Sequence, residues 1–276
     1  MNMGLINDAH CHLYAYGNSE MIKKVIESSP NIKYICENAT SAKNFDIVVK
    51  LAKKYPNRII PSIGIHPLNY KEWGSNIENI MKNMLLKDKN IMVGEIGLDF
   101  VNKETDKKEQ IKVFKAQLEI GIQFKRTISI HSVRSHGDML KVLKKIHKID
   151  SKLENINLIM HSYSGPPEIM NSLLKLNKNI YFSFSLGIVS SSNKECLKMV
   201  PLENILVETD SPYQLNDKIS NIESINNEYC EDIDNSKINL PNNSIFVISH
   251  IAEVRGINFD SLIKTIDENF KRAFNV

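Results

Sequence analysis

Net charge is nearly absent from this chain: 35 Lys and Arg against 32 Asp and Glu leave a formal charge of +3 over 276 residues. Proteins that grip nucleic acid through charge alone carry a large basic excess or a basic block. Here the pairs Lys23-Lys24, Lys53-Lys54, Lys107-Lys108 and Lys144-Lys145 are scattered among helix-pattern residues and read as solvated faces. An anionic substrate would therefore be held at a site rather than by a field. Cysteine is sparse as well. Cys11, Cys36, Cys196 and Cys230 lie far apart and form no Cys-x-x-Cys, the usage of a reduced compartment. No apolar run approaches the roughly 18 residues that would span a bilayer. Met1 to His12 shows no basic segment followed by an apolar stretch, so no signal peptide is expected. These absences predict a soluble, cytoplasmic protein without membrane contact. With 42% hydrophobic residues, 11 Gly and 9 Pro, collagen-like, mucin-like and wholly disordered chains are also excluded.

What is present is a rhythm. Short β-rich runs recur at Leu5–His10, Tyr34–Cys36, Ile59–Ile65, Ile91–Glu95, Thr127–His131, Leu158–His161, Ile180–Ser185 and Ile205–Asp210. Helical patterns lie between them, as in Ser41–Lys54 and Thr105–Phe124. Taking His12, Asn38, His66, Glu95, His131, His161, Ser185 and Asp210 as run ends, the spacings are 26, 28, 29, 36, 30, 24 and 25 residues. Each is the size of one βαβ unit. Eight such units predict one (β/α)8 TIM barrel over residues 1–276, with its site at the C-terminal ends of the strands. An open doubly wound sheet has the same period. Closure is favoured because metal-capable side chains end the first, fourth, fifth, sixth and eighth strands, and only a barrel sets the first strand beside the eighth. The rhythm breaks at 213–241, an acidic stretch read as a loop insertion that either covers the substrate or decorates the surface. Asn242–Arg255 and Asp260–Phe274 read as closing helices, the second capped by Asp260.

The candidate chemistry sits at those strand ends. His10 and His12 are two apart on one strand, so both imidazoles can face one ion. Glu95, in Gly94-Glu95-Ile96-Gly97-Leu98-Asp99, offers two oxygens that can each bind an ion, and Gly94 and Gly97 are read as allowing a tight turn beside it. His131 and His161 each end an apolar strand. Asp210 could ligate a metal and take a proton from water, and Glu208, deeper on the same face, is expected to support the ligands or to form a buried ion pair. His66, before Pro67, and Arg134, with His136 after it, are candidate substrate contacts. Trp73 and Tyr70 could stack on a base or simply pack.

These residues, in order, carry a resemblance. His10-Cys11-His12, Gly64-Ile65-His66-Pro67, Gly94 to Asp99, Ile130-His131-Ser132, His161-Ser162-Tyr163-Ser164-Gly165 and Glu208-Thr209-Asp210-Ser211-Pro212-Tyr213 resemble the successive motifs of the TatD-like metal-dependent hydrolases, a branch of the amidohydrolase superfamily. The resemblance implies a (β/α)8 barrel with His10, His12, Glu95 and Asp210 around one ion and Glu95, His131 and His161 around a second. It implies two divalent cations, Zn, Mg or Mn, with Asp210 and Glu95 as the catalytic carboxylates. The implied activity is a deoxyribonuclease hydrolysing phosphodiesters, exonucleolytic from 3′ ends, with DNA as substrate and no obligate protein partner. The alternative is a related amidohydrolase of small esters, lactones or amides; such enzymes often place a modified Lys where this chain has Glu95. The chain departs from the family at His161-Ser162-Tyr163, where His-Cys-Phe is commoner, and at Ile238, which stands where an Arg precedes Asn239-Leu240-Pro241. Both departures bear on substrate preference. If DNA is the substrate, the charge of +3 predicts weak, salt-sensitive contact away from the metals and a preference for ends or short segments.

Overall fold

The computed structural model describes residues 5–190, 194–215 and 238–276. Most of the acidic stretch 213–241, including Cys230, therefore lies outside the described residues. Eight strands form one sheet in the order of the chain: β1 (Ile6–Cys11), β2 (Ile32–Asn38), β3 (Ile59–Ile63), β4 (Met92–Asp99), β5 (Ile128–Val133), β6 (Leu158–Met160), β7 (Ile180–Phe184) and β8 (Ile205–Val207). Every neighbouring pair from β1–β2 to β7–β8 is parallel. Closure happens just beyond β8. Cys11 bridges Ser211 in parallel, His12 N donates to Ser211 O at 2.8 Å, and Asp210 N donates to His10 O at 2.9 Å. The expected (β/α)8 barrel is thus the observed one.

Strand sequences are apolar without alternation because helices cover the outside while other side chains fill the inside. Outside, Val48, Phe114, Leu118, Leu143, Leu173 and Ile251 are fully buried in the layer between helices and strands. Inside, Ala9, Cys36, Ile60, Met92, Ile159, Tyr181 and Leu206, from seven different strands, form the barrel floor. Phe270 and Phe274 of the final helix plug it from below. Burying one Phe ring contributes roughly 1.5–3 kcal/mol, so this helix is a structural part of the barrel.

Three details differ from the sequence reading. The Gly94–Asp99 stretch is not a turn: β4 runs through it and pairs with β5 as far as Asp99 opposite Val133. Its glycines serve close approach between strands. A β carbon on Gly97, whose φ is 152°, would stand 2.0 Å from His131 O, and one on Gly94 would stand 2.7 Å from Ser129 Cβ. A register shift lies between Val93 and Ile96. It explains how Met92 and Glu95 can both point into the barrel, one at the floor and one at the mouth, although they are three positions apart; such bulges re-aim side chains beside sites. Second, the β8 ladder stops at Val207; Glu208 N still donates to Phe184 O of β7, and Thr209 to Ser211 join β1. Third, the last helix, Phe259–Phe274, is capped by Asn258, whose side chain accepts from Ser261 N, and Asp260 lies in its first turn. Asp and Asn are equally good caps, so the hydrophobic pattern alone could not choose between them.

Candidate metal centre

The C-terminal mouth of the barrel holds a cavity of about 560 Å³, and His12, His66, Glu95, His131, His161 and Asp210 all line it. His10 lies directly below them and is fully buried. Their atoms converge. His10 Nε2 stands 3.2 Å from His12 Nε2, 3.4 Å from Glu95 Oε2 and 3.6 Å from Asp210 Oδ1. His12 Nε2 is 3.7 Å from Glu95 Oε2 and 3.2 Å from Asp210 Oδ1. Donors held about 2.1 Å from one ion at octahedral to tetrahedral angles stand about 3.0–3.4 Å apart. The observed spacings are near that range, and Asp210 Oδ1 is buried with no hydrogen-bond partner. A buried carboxylate oxygen amid imidazole nitrogens fits a positive charge, a bound cation or, without one, the protonated His12 ring.

Glu95 divides the site. Its Oε2 faces His10 and His12, while its Oε1 faces His131 Nδ1 at 2.6 Å, His161 Nε2 at 3.5 Å and His66 Nε2 at 3.6 Å. His10, His12 and Glu95 form one group of potential ligands; His66, Glu95 and His131 form another; His10, His161 and Asp210 form a third. The barrel therefore brings together all six residues expected to hold metal, and it adds His66, expected as a substrate contact, to the side facing Glu95 Oε1.

The imidazoles are oriented from behind. His12 Nδ1 donates to Asn38 O at 2.7 Å, which leaves Nε2 aimed at the cluster. His161 Nδ1 lies 2.8 Å from Glu208 Oε1, which also accepts from Ser162 N at 2.8 Å. A carboxylate or carbonyl behind the ring fixes its tautomer, the arrangement that makes histidine a good ligand. Glu208, fully buried, thus stands behind His161.

Charge in the cluster is strongly coupled. Burial alone would raise the Glu95 pKa, but His66, His161 and His10 hold it well below the usual carboxylate range. Burial likewise opposes ionisation of Asp210, yet His12 and His161 bring it down to about 2. For His12 and His161 burial lowers the pKa, and the surrounding carboxylates outweigh it, to about 9 and about 10. His66, where burial dominates, falls to about 4.

Arg134 is exposed and lies outside the cavity lining. His136 packs edge-on against Tyr163, 5.8 Å between ring centroids. Trp73 packs against the core rather than the cavity. Two residues without an expected role do reach the site. Asp99 Oδ2 is 3.2 Å from His131 Nε2; its signal was strand parity with Glu95, hidden by reading the glycines as a turn. Gln214 Nε2 donates to Asp210 Oδ2 at 2.6 Å, and no pattern in the sequence marks it.

A family model described as TatD related DNase matches residues 7–275. The chain belongs to that family. It is a metal-dependent hydrolase, with His, Glu and Asp clusters able to bind metal. Among relatives, the "Uncharacterized metal-dependent hydrolase BU355" of Buchnera aphidicola is 28% identical over 98% of both chains. The "Uncharacterized metal-dependent hydrolase MG009" of Mycoplasma genitalium is 30% identical over 97% of this chain and 98% of its own. The crystal structure of YJJV, a TatD homolog from Escherichia coli, superposes with a TM-score of 0.84 at 21% identity, covering 98% of each chain, and shares the fold. Among the described residues no helix is long and apolar enough to cross a membrane.

Proposed function

We propose that this TatD-family protein is a deoxyribonuclease that removes nucleotides from 3′ ends, using two divalent cations shared across Glu95. The observation that carries the reading is the division of Glu95, whose two oxygens face two separate sets of imidazoles. In this reading His10, His12, Glu95 and Asp210 hold one ion, and Glu95, His131 and His161 hold the other, with His66 beside them. Bound there, divalent ions would supply Lewis-acid stabilisation of the phosphate and a lowered pKa for water. Among the described residues lining the cavity there is no Lys or Arg, so these side chains do not themselves neutralise a polyanion. Asp210, ionised far below neutral pH, is placed to orient the attacking water and accept its proton. Hydroxyl and amide groups of Thr40, Asn69, Ser132, Ser162 and Ser185 line the remaining wall and can bind the sugar and phosphate oxygens. A cavity of about 560 Å³ is of the size that takes one small ligand, which favours a strand end over a continuous duplex.

The test is a digestion series with the full chain, stripped by chelator and reloaded with Mg²⁺, Mn²⁺ or Zn²⁺, on oligonucleotides blocked at the 3′ or the 5′ end. Cleavage should need metal, stop with the 3′ block and fall at least about 100-fold in Asp210→Asn. Intact DNA under all metals, or hydrolysis of small esters alone, would replace this reading with that of a small-molecule amidohydrolase.

A further inference from the structure

Gln214 is exposed, yet its carboxamide is fixed on both ends. Nε2 donates to Asp210 Oδ2 at 2.6 Å, while Oε1 accepts from Ser185 Oγ at 2.6 Å and from Ser162 Oγ at 3.2 Å. The two serine hydroxyls also bond to each other at 2.9 Å. A carboxylate only accepts, so the nitrogen must face Asp210 and the oxygen must face the serines. The backbone is unusual at both ends of this link: Asp210 has φ 58° and Gln214 φ 55°. Non-glycine residues in that region are strained and persist where the surroundings over-determine them.

The consequence falls on Asp210. With Oδ2 taken by Gln214, the carboxylate plane is set and Oδ1, which has no hydrogen-bond partner, faces His10 and His12. The contacts continue across the mouth. Ser162 N donates to Glu208 Oε1, which stands behind His161. One polar chain therefore runs from the Asp210 side of the cluster to the His161 side.

We propose that Gln214 is a positioning residue that locks the Asp210 carboxylate toward a bound cation, with Ser185 and Ser162 aligning its amide. The proposal rests on the reading of Asp210 as a metal ligand but not on DNA being the substrate. The probe is Mn²⁺ alone, titrated calorimetrically into chelator-treated full chain. Gln214→Leu should weaken Mn²⁺ binding about tenfold, the effect typical of losing a hydrogen-bonded partner of a ligand, while the melting temperature of the metal-free protein stays within about 2 °C of wild type. Ser185→Ala should weaken it about threefold. The double variant should bind no more weakly than Gln214→Leu, because Ser185 acts through Gln214. On a 3′-ended oligonucleotide the loss in Gln214→Leu should appear in kcat, with KM changing less than about twofold. Mn²⁺ affinity in Gln214→Leu within twofold of wild type, additive losses in the double variant, or wild-type protein that binds no Mn²⁺ would each overturn the proposal. Wild-type protein that binds Mn²⁺ but leaves DNA intact would remove the nuclease reading and leave the Gln214 result standing.

Discussion

At the scale of the residue, His12 shows how the site is poised. Asn38 O holds its Nδ1 proton at 2.7 Å, and the carboxylates of Asp210, Glu95 and Glu37, acting against burial, raise its pKa to about 9. At neutral pH the metal-free ring therefore carries a second proton on Nε2, where a cation would bind. The raised value means that this ionisation stabilises the metal-free fold fully below about pH 6.5 and that the contribution fades as pH rises through about 9. Metal binding must displace the proton, so apparent affinity should fall about tenfold per pH unit, per proton released, as pH drops from 9 toward 6.5. Calorimetry at pH 7 in two buffers of different protonation enthalpy counts the protons, and a count of zero would refute this account. His10, His12, Glu95, His131, His161 and Asp210 were legible in sequence because each ends a strand-like run. Asp99 and Gln214 were not, since one was hidden in a supposed turn and the other follows Pro212 in irregular chain.

At the scale of the element, the helix Lys107–Gln123 does more than cover the sheet. Its Gln117 carboxamide, fully buried, accepts from Ile65 N at 2.7 Å and donates to Ile65 O at 3.0 Å. About two turns earlier, Gln110 accepts from Asp99 N at 3.0 Å and donates to Pro67 O at 2.9 Å. The pair pins the backbone after β3, on either side of His66, and the end of β4 at Asp99 to a rigid helix. Gln117→Leu keeps the volume but leaves a buried N–H and C=O unpaired, and each such group costs roughly 1–3 kcal/mol. Urea unfolding of the metal-free variant should show a loss of about 3 kcal/mol; a loss below about 1 kcal/mol would mean that water replaces the amide. The helical pattern of this segment was readable from Ile111, Phe114, Leu118 and Ile122. The two glutamines were not, because a buried polar residue breaks the pattern and looks like a surface position.

At the scale of the whole molecule, charge and cavity agree. A net +3 and a mouth whose described lining holds no Lys or Arg offer few phosphate contacts outside the cluster. With about two contacts on single-stranded DNA, raising salt from 50 to 200 mM should increase KM about sevenfold. A rise of 1,000-fold would instead reveal an extended basic track. The sequence by itself determined the number and order of the βα units, the approximate place of each strand and six of the converging imidazoles and carboxylates, because hydrophobic period and residue type are local properties. Only the tertiary structure decided that Glu95 faces two sets of imidazoles, that His66 stands with His131, and that Gln214 reaches Asp210. Those depend on barrel closure, on the register shift in β4 and on contacts between residues far apart in the chain, and no local pattern encodes them.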